Sequence, residues 1–161
     1  MADNAQYGDV KVPTVLPFAE DIGPNTEYFY YGCQWWGGVN PEAAVWWKDH
    51  TGKCHFRCVL TGDSFEPLPR VQVANRQIDC SAFKDLIDRL VKIGILSMQS
   101  QREMLAHGKC DAIVSIRTAT GVHHTYTIRG AWPNDERHRE IAQIVMKVAP
   151  EFFPRLQRSG P

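Results

Sequence analysis

Between residues 80 and 93 the apolar positions recur three and four apart, at Phe83, Leu86, Ile87, Leu90 and Val91. That spacing places them on one face of a helix. Asp79 or Ser81 stands where the start would be capped, and Gly94 where the end would be closed. A last helix is predicted to begin after Asn134 or Asp135, to carry Ile141, Ile144, Val145 and Val148, and to stop at Pro150. The run Ser100-Gln-Arg-Glu103 has capping-box spacing, so a second, short helix is expected there with Gly108 as its stop.

The remaining patterns favour strands. Tyr, Phe and Trp crowd residues 27–36, and Val71 and Val73 suggest a short strand. Two hairpins are predicted, one with strands at about 43–49 and 53–60, the other across 111–130. Their tips are His50-Thr51-Gly52 and Ala119-Thr120-Gly121. A three-residue loop with its glycine in the left-handed region would pair Asp49 with Lys53 and Thr118 with Val122.

That register sorts the side chains. In the second hairpin, Ala112, Val114, Ile116, Val122, His124, Tyr126 and Ile128 share one face, and Ile113, Ser115, Arg117, His123, Thr125, Thr127 and Arg129 the other. A two-residue loop would mix apolar with polar positions and bury little. In the first hairpin Trp46 joins Ala44, Cys54, Phe56 and Cys58 on the better core face. Trp47 points the other way, outward beside His55 and Arg57. The faces of Trp35 and Trp36 cannot be assigned, because no anchored turn sets their strand's register.

The element order predicts an α+β fold. An antiparallel sheet of about five or six strands, built from hairpins, packs against two or three helices. Residues 1–26 form an extended, acidic, proline-containing arm, 27–150 a single α+β domain, and 151–161 a C-terminal tail.

Composition removes several functions. The 18 basic and 18 acidic residues give zero net charge, without the basic excess of a nucleic-acid binder. No apolar run approaches the ~20 residues that span a bilayer. The start, MADNAQYGDV, lacks the basic and apolar blocks of a secretory signal. The expected location is therefore intracellular: the cytoplasm, or an organelle if a targeting segment has been removed. The five cysteines are then expected to be reduced thiols.

Cys54 and Cys58 are four apart, ~13 Å along a strand, too far to share one ion. His123 and His124 are adjacent and so face opposite ways. No metal and no cofactor is expected, and no glycine-rich phosphate loop lies between a strand and a helix.

The stretch IDCSAFKDLIDRLVKIGI, Ile78 to Ile95, resembles the nucleophile segment of the papain-like cell-wall amidases of the NlpC type. There an Asp-Cys-Ser-Gly-Phe-like run opens a helix that ends near Gly-Ile. Ala82 stands where that family has glycine, and no Gly-Asp-Leu run precedes the His strand. The resemblance implies a thiol hydrolase, an amidase or peptidase, with Cys80 as nucleophile at a helix N-terminus and His124 as base.

The aromatic residues favour a different function. Four of the five tryptophans lie between Tyr30 and Trp47. Trp35, Trp36 and Trp47, with Tyr28, Tyr30 and Tyr31, exceed what one sheet face can bury, and Tyr, Trp and Arg are enriched at interface centres. The leading expectation is a non-enzymatic protein-interaction domain, an accessory or structural subunit or binding protein in a larger assembly. Its partner would be a protein or a second copy, and its binding surface Trp35, Trp36, Trp47, His55 and Arg57.

Overall fold

Both hairpin loops close as the glycine positions require. Asp49 N donates to Lys53 O at 2.8 Å and Gly52 N to Asp49 O at 3.0 Å. In the second loop Thr118 N donates to Val122 O at 2.9 Å and Gly121 N to Thr118 O at 3.0 Å. Gly52 and Gly121 have φ of +86° and +87°, a region costly to any residue with a Cβ.

A computed structural model describes residues 22–35, 42–60, 72–102, 110–129 and 136–149. The strands are β1 (Tyr28–Trp35), β2 (Glu42–Lys48), β3 (Cys54–Leu60), β4 (Gln72–Ile78), β5 (Gln101–Arg102), β6 (Cys110–Arg117) and β7 (His123–Arg129). The helices are α1 (Cys80–Ile93) and α2 (Glu136–Val148), with a 3-10 turn at Ile95–Ser97. The arm up to residue 21, Pro150 with the tail 151–161, and the segments 36–41, 61–71, 103–109 and 130–135 lie outside the described residues. Trp36 is among them, and so is the expected stop at Gly108.

The sheet order is β4-β3-β2-β1-β6-β7-β5. Six strands pair antiparallel, and the two-residue β5 adds to the β7 edge in parallel. This is the expected α+β arrangement, with two helices among the described residues. β1 lies between β2 and β6, so the aromatic run Tyr28 to Tyr31 is covered by strands on both sides.

Pleating gives the sheet two unlike faces. On the first, Phe29, Tyr31, Trp46, Phe56, Val114, Ile116, Tyr126 and Ile128 pack with Phe83, Leu86, Ile87 and Leu90 of α1 and Ile141, Ile144 and Val145 of α2. Trp46 stacks on Phe29 at 5.4 Å and tilts against Phe56 at 4.9 Å. His138, buried among them, hydrogen-bonds Tyr126 Oη at 3.1 Å through Nδ1 and approaches Tyr31 Oη at 3.4 Å through Nε2. The second face carries a smaller cluster: Tyr28, Tyr30, Ala43, Val45 and Trp47.

Several expectations change. Ser100 does not open a helix: residues 101–102 are extended, and Ser100 Oγ accepts from Thr127 N at 3.0 Å. The open edge of β7 offers backbone partners that a lone capping box does not. The short strand expected near Val71 and Val73 runs to Ile78, because β3 pairs with it throughout. Val91 and Val122 were placed on core faces, yet they are 39% and 47% exposed. Asp79 occupies the N-cap of α1 without a side-chain hydrogen bond, whereas Gly94 closes the helix as expected, its N–H reaching Leu90 O and Val91 O.

The expectation of reduced cysteines is overturned by a Cys54–Cys80 disulfide, with Cα atoms 5.3 Å apart. Sequence spacing hid it: the residues lie 26 apart, on a strand start and a helix start that meet only through the β3–β4 pairing. Closing such a loop stabilises the fold by about 3.5 kcal/mol in the chain-entropy account.

Candidate functional site

The register aligns one residue from each of five strands across the second face. His55 on β3 is opposite Trp47 on β2, Trp47 opposite Tyr28 on β1, Tyr28 opposite Arg117 on β6, and Arg117 opposite His123 on β7. Imidazole, indole, phenol, guanidinium and imidazole thus lie in one row. Each strand supplies one member because side chains alternate; the hairpin loops set the β2–β3 and β6–β7 registers, and β1 joins the two hairpins by pairing with β2 and β6.

At the β3 end, the His55 ring stacks on Trp47 with centroids 5.0 Å apart and planes 23° apart. The Arg57 guanidinium lies over the same indole at 5.5 Å, a cation–π contact. His55 Nε2 donates to Asp49 Oδ2 at 2.6 Å. Asp49 Oδ1 accepts from Thr51 Oγ1 at 2.6 Å, Thr51 N at 2.8 Å and Lys53 N at 3.0 Å. The Thr51 hydroxyl bond, followed by that from His55, holds the Asp49 carboxyl well below the usual carboxylate range. The hairpin tip therefore fixes a carboxylate, which fixes an imidazole, which covers one side of Trp47.

At the β7 end, Tyr28 Oη hydrogen-bonds Ser115 Oγ and His123 Nε2, both at 2.8 Å. Ser115 Oγ also reaches Thr125 Oγ1 at 2.8 Å and His123 Nε2 at 3.3 Å. Arg117 lies over the Tyr28 ring at 5.5 Å and donates to Gly23 O at 3.3 Å. Burial, then the nearby Arg117 charge, lowers the His123 pKa below the ordinary histidine value. A buried Ser115 surrounded by hydroxyls is a structural hydrogen-bond hub. Ser115 is fully buried, and its hydroxyl is shared among Tyr28, Thr125 and His123.

Trp47, His55 and Arg57 are thus brought together, on the face expected. The outward exposure expected of Trp47 is not found: the ring is 4% exposed, under His55 and Arg57 and beside Tyr28 and Val45. Alternation decides the face of a residue, whereas exposure depends on what lies on that face. Trp35 belongs to β1 opposite Cys110, and its side chain and Trp36 lie outside the described residues.

Cys80 and His124 are not brought together. The Cys80 sulfur is bonded to Cys54 on β3, and His124 is on β7, four strand steps or ~19 Å away. His124 Nε2 instead donates to Met98 O at 2.6 Å. Among the described residues, no group of three His, Cys, Asp or Glu side chains is close enough to hold a metal ion. No helix there is long and apolar enough to cross a membrane.

The register of the second hairpin by itself puts Ser115, Arg117 and His123 on this face. The signal was present: in the second hairpin the non-core face reads Ser-x-Arg and His-x-Thr. Their convergence on Tyr28 depends on β6 pairing with β1, which no local pattern encodes.

The chain matches no protein-family model, and no curated protein is similar to it in sequence.

Proposed function

We propose that this chain is a non-enzymatic protein-interaction domain, an accessory or structural subunit or a binding protein in a larger assembly. One observation carries the reading. On the sheet face to which neither helix contributes a residue, Arg57, Arg117, His55 and His123 lie against a cluster of Tyr28, Tyr30, Ala43, Val45 and Trp47 that is itself buried, so the groups a partner would meet there are the two guanidiniums and two imidazoles. Arg is among the residues that concentrate binding energy at protein interfaces, and a guanidinium already held over an aromatic ring loses little freedom when a partner docks on it. The partner is a protein or a second copy of the chain. The Cys54–Cys80 disulfide favours a compartment oxidising enough to keep it, an organelle lumen rather than a reducing cytosol.

The test is native mass measurement of the full chain purified from its source, beside Arg57→Glu. The reading expects a complex of fixed stoichiometry that Arg57→Glu dissolves while the variant stays folded, its loss of stability limited to about 1 kcal/mol from the cation–π contact. A monomer at every concentration, or a complex indifferent to Arg57→Glu, would remove this face from consideration.

A further inference from the structure

On the opposite side of the molecule, an open cleft of about 700 Å³ runs between α1 and α2. Arg89 and Lys92 line it from α1, and Arg137 and Lys147 from α2. Among the described residues Glu140 is the one carboxylate in its lining, so four cations against one anion leave a net +3 there. Its floor is apolar, from Ile93 and Ile144.

Helix dipoles account for only part of this charge. Lys92 and Lys147 stand in the last turns of their helices, where a cation is favoured anyway. Arg137 stands in the first turn of α2, the end a cation disfavours, and Arg89 is more than a turn's end from either terminus. Arg137 is held across the cleft mouth by donating from Nη1 to Ser97 Oγ at 3.2 Å.

We propose that this cleft docks an acidic amphipathic segment of a protein partner, with carboxylates reaching the cationic rims and apolar side chains on Ile93 and Ile144. The spread of charge selects the occupant. Arg137 and Lys147 are ten residues apart, ~15 Å along the helix, too far to converge on one phosphate but matched to successive carboxylates of a peptide. Among the described residues no aromatic ring lines the cleft for base stacking, and the chain as a whole carries no net positive charge. The proposal goes beyond the sheet-face reading, because the two surfaces lie on opposite sides and share no residue.

The test uses fluorescence anisotropy with the full chain and a labelled peptide of repeated Glu-Glu-Leu-Leu. Binding is expected to weaken as salt rises, to vanish when glutamine replaces the glutamates, and to fall by about tenfold or more in the Arg89→Glu, Lys92→Glu double variant with unchanged melting. Equal binding by that variant or by the glutamine peptide overturns the proposal, as does tighter binding of oligothymidylate. If the peptide binds only after Asp3→Asn, Asp9→Asn, Glu20→Gln and Asp21→Asn, the cleft belongs to the chain's own acidic residues, which also overturns it. A dimer that Arg89→Glu, Lys92→Glu abolishes assigns the cleft to a second copy, with the same consequence.

Discussion

Trp47 and His55 stand directly opposite across β2 and β3, and their rings stack at 5.0 Å. Asp49, six residues earlier on the same hairpin, holds the imidazole in that position. A loop carboxylate, an imidazole and an indole thus form one unit, with the Arg57 guanidinium 5.5 Å from the centre of the same indole. The aromatic excess of the sequence is resolved here into a second cluster packed on the sheet.

Trp47→Ala should therefore act as a core truncation. The expected loss is about 3–5 kcal/mol in denaturant unfolding. His55→Ala removes a partly buried cover and should cost under about 1.5 kcal/mol. Equal losses for the two would show that the ring is held by the stack and not by burial.

The pH dependence has two parts. Asp49 titrates below its unfolded value, so its contribution is present above about pH 3.9 and disappears as pH falls through the lower folded value. His123 is also lowered, which favours its neutral ring in the folded state. Its contribution is present above about pH 6.5 and disappears as pH falls from there through the folded value. Thermal melts across this range should show His123→Gln flattening the upper step and Asp49→Asn the lower one. A wild-type profile without an upper step would contradict the His123 assignment.

Loss of the disulfide should be felt throughout the chain. Cys54→Ser with Cys80→Ser, or reduction, should lower stability by about 3.5 kcal/mol. Mass measurement after alkylation should find these two cysteines unlabelled until a reductant is added. Labelling of Cys80 without reductant would show that the bond does not form, and would return the thiol to the helix N-terminus.

Gly32 tests the second face from inside β1. A Cβ there would lie 2.5 Å from Tyr30 Oη and about as close as 3.0 Å to the ring. Tyr30 is itself fully buried, so the ring has little room to yield. Gly32→Ala should cost about 1–3 kcal/mol, and Gly32→Ala with Tyr30→Phe less than the sum of the two single changes. Additive losses would mean that the backbone moves and not the ring.

Local chemistry alone determined much of this molecule. Glycine placement set both hairpin loops, alternation then set both faces, and three-four spacing set α1 and α2, so Trp46 and Trp47 were legible as opposite-facing residues. These features depend on residues a few positions apart and need no knowledge of the partner strand. What only tertiary structure decided lies in contacts between distant segments. The pairing of β1 with β6 brought Tyr28 to Ser115 and His123, β7 drew residues 101–102 out of a helix, and packing of the helix start on β3 joined Cys80 to Cys54. Burial of Trp47 belongs to the same class. A pleat fixes which way a side chain points, but whether water reaches it depends on what the rest of the chain places there.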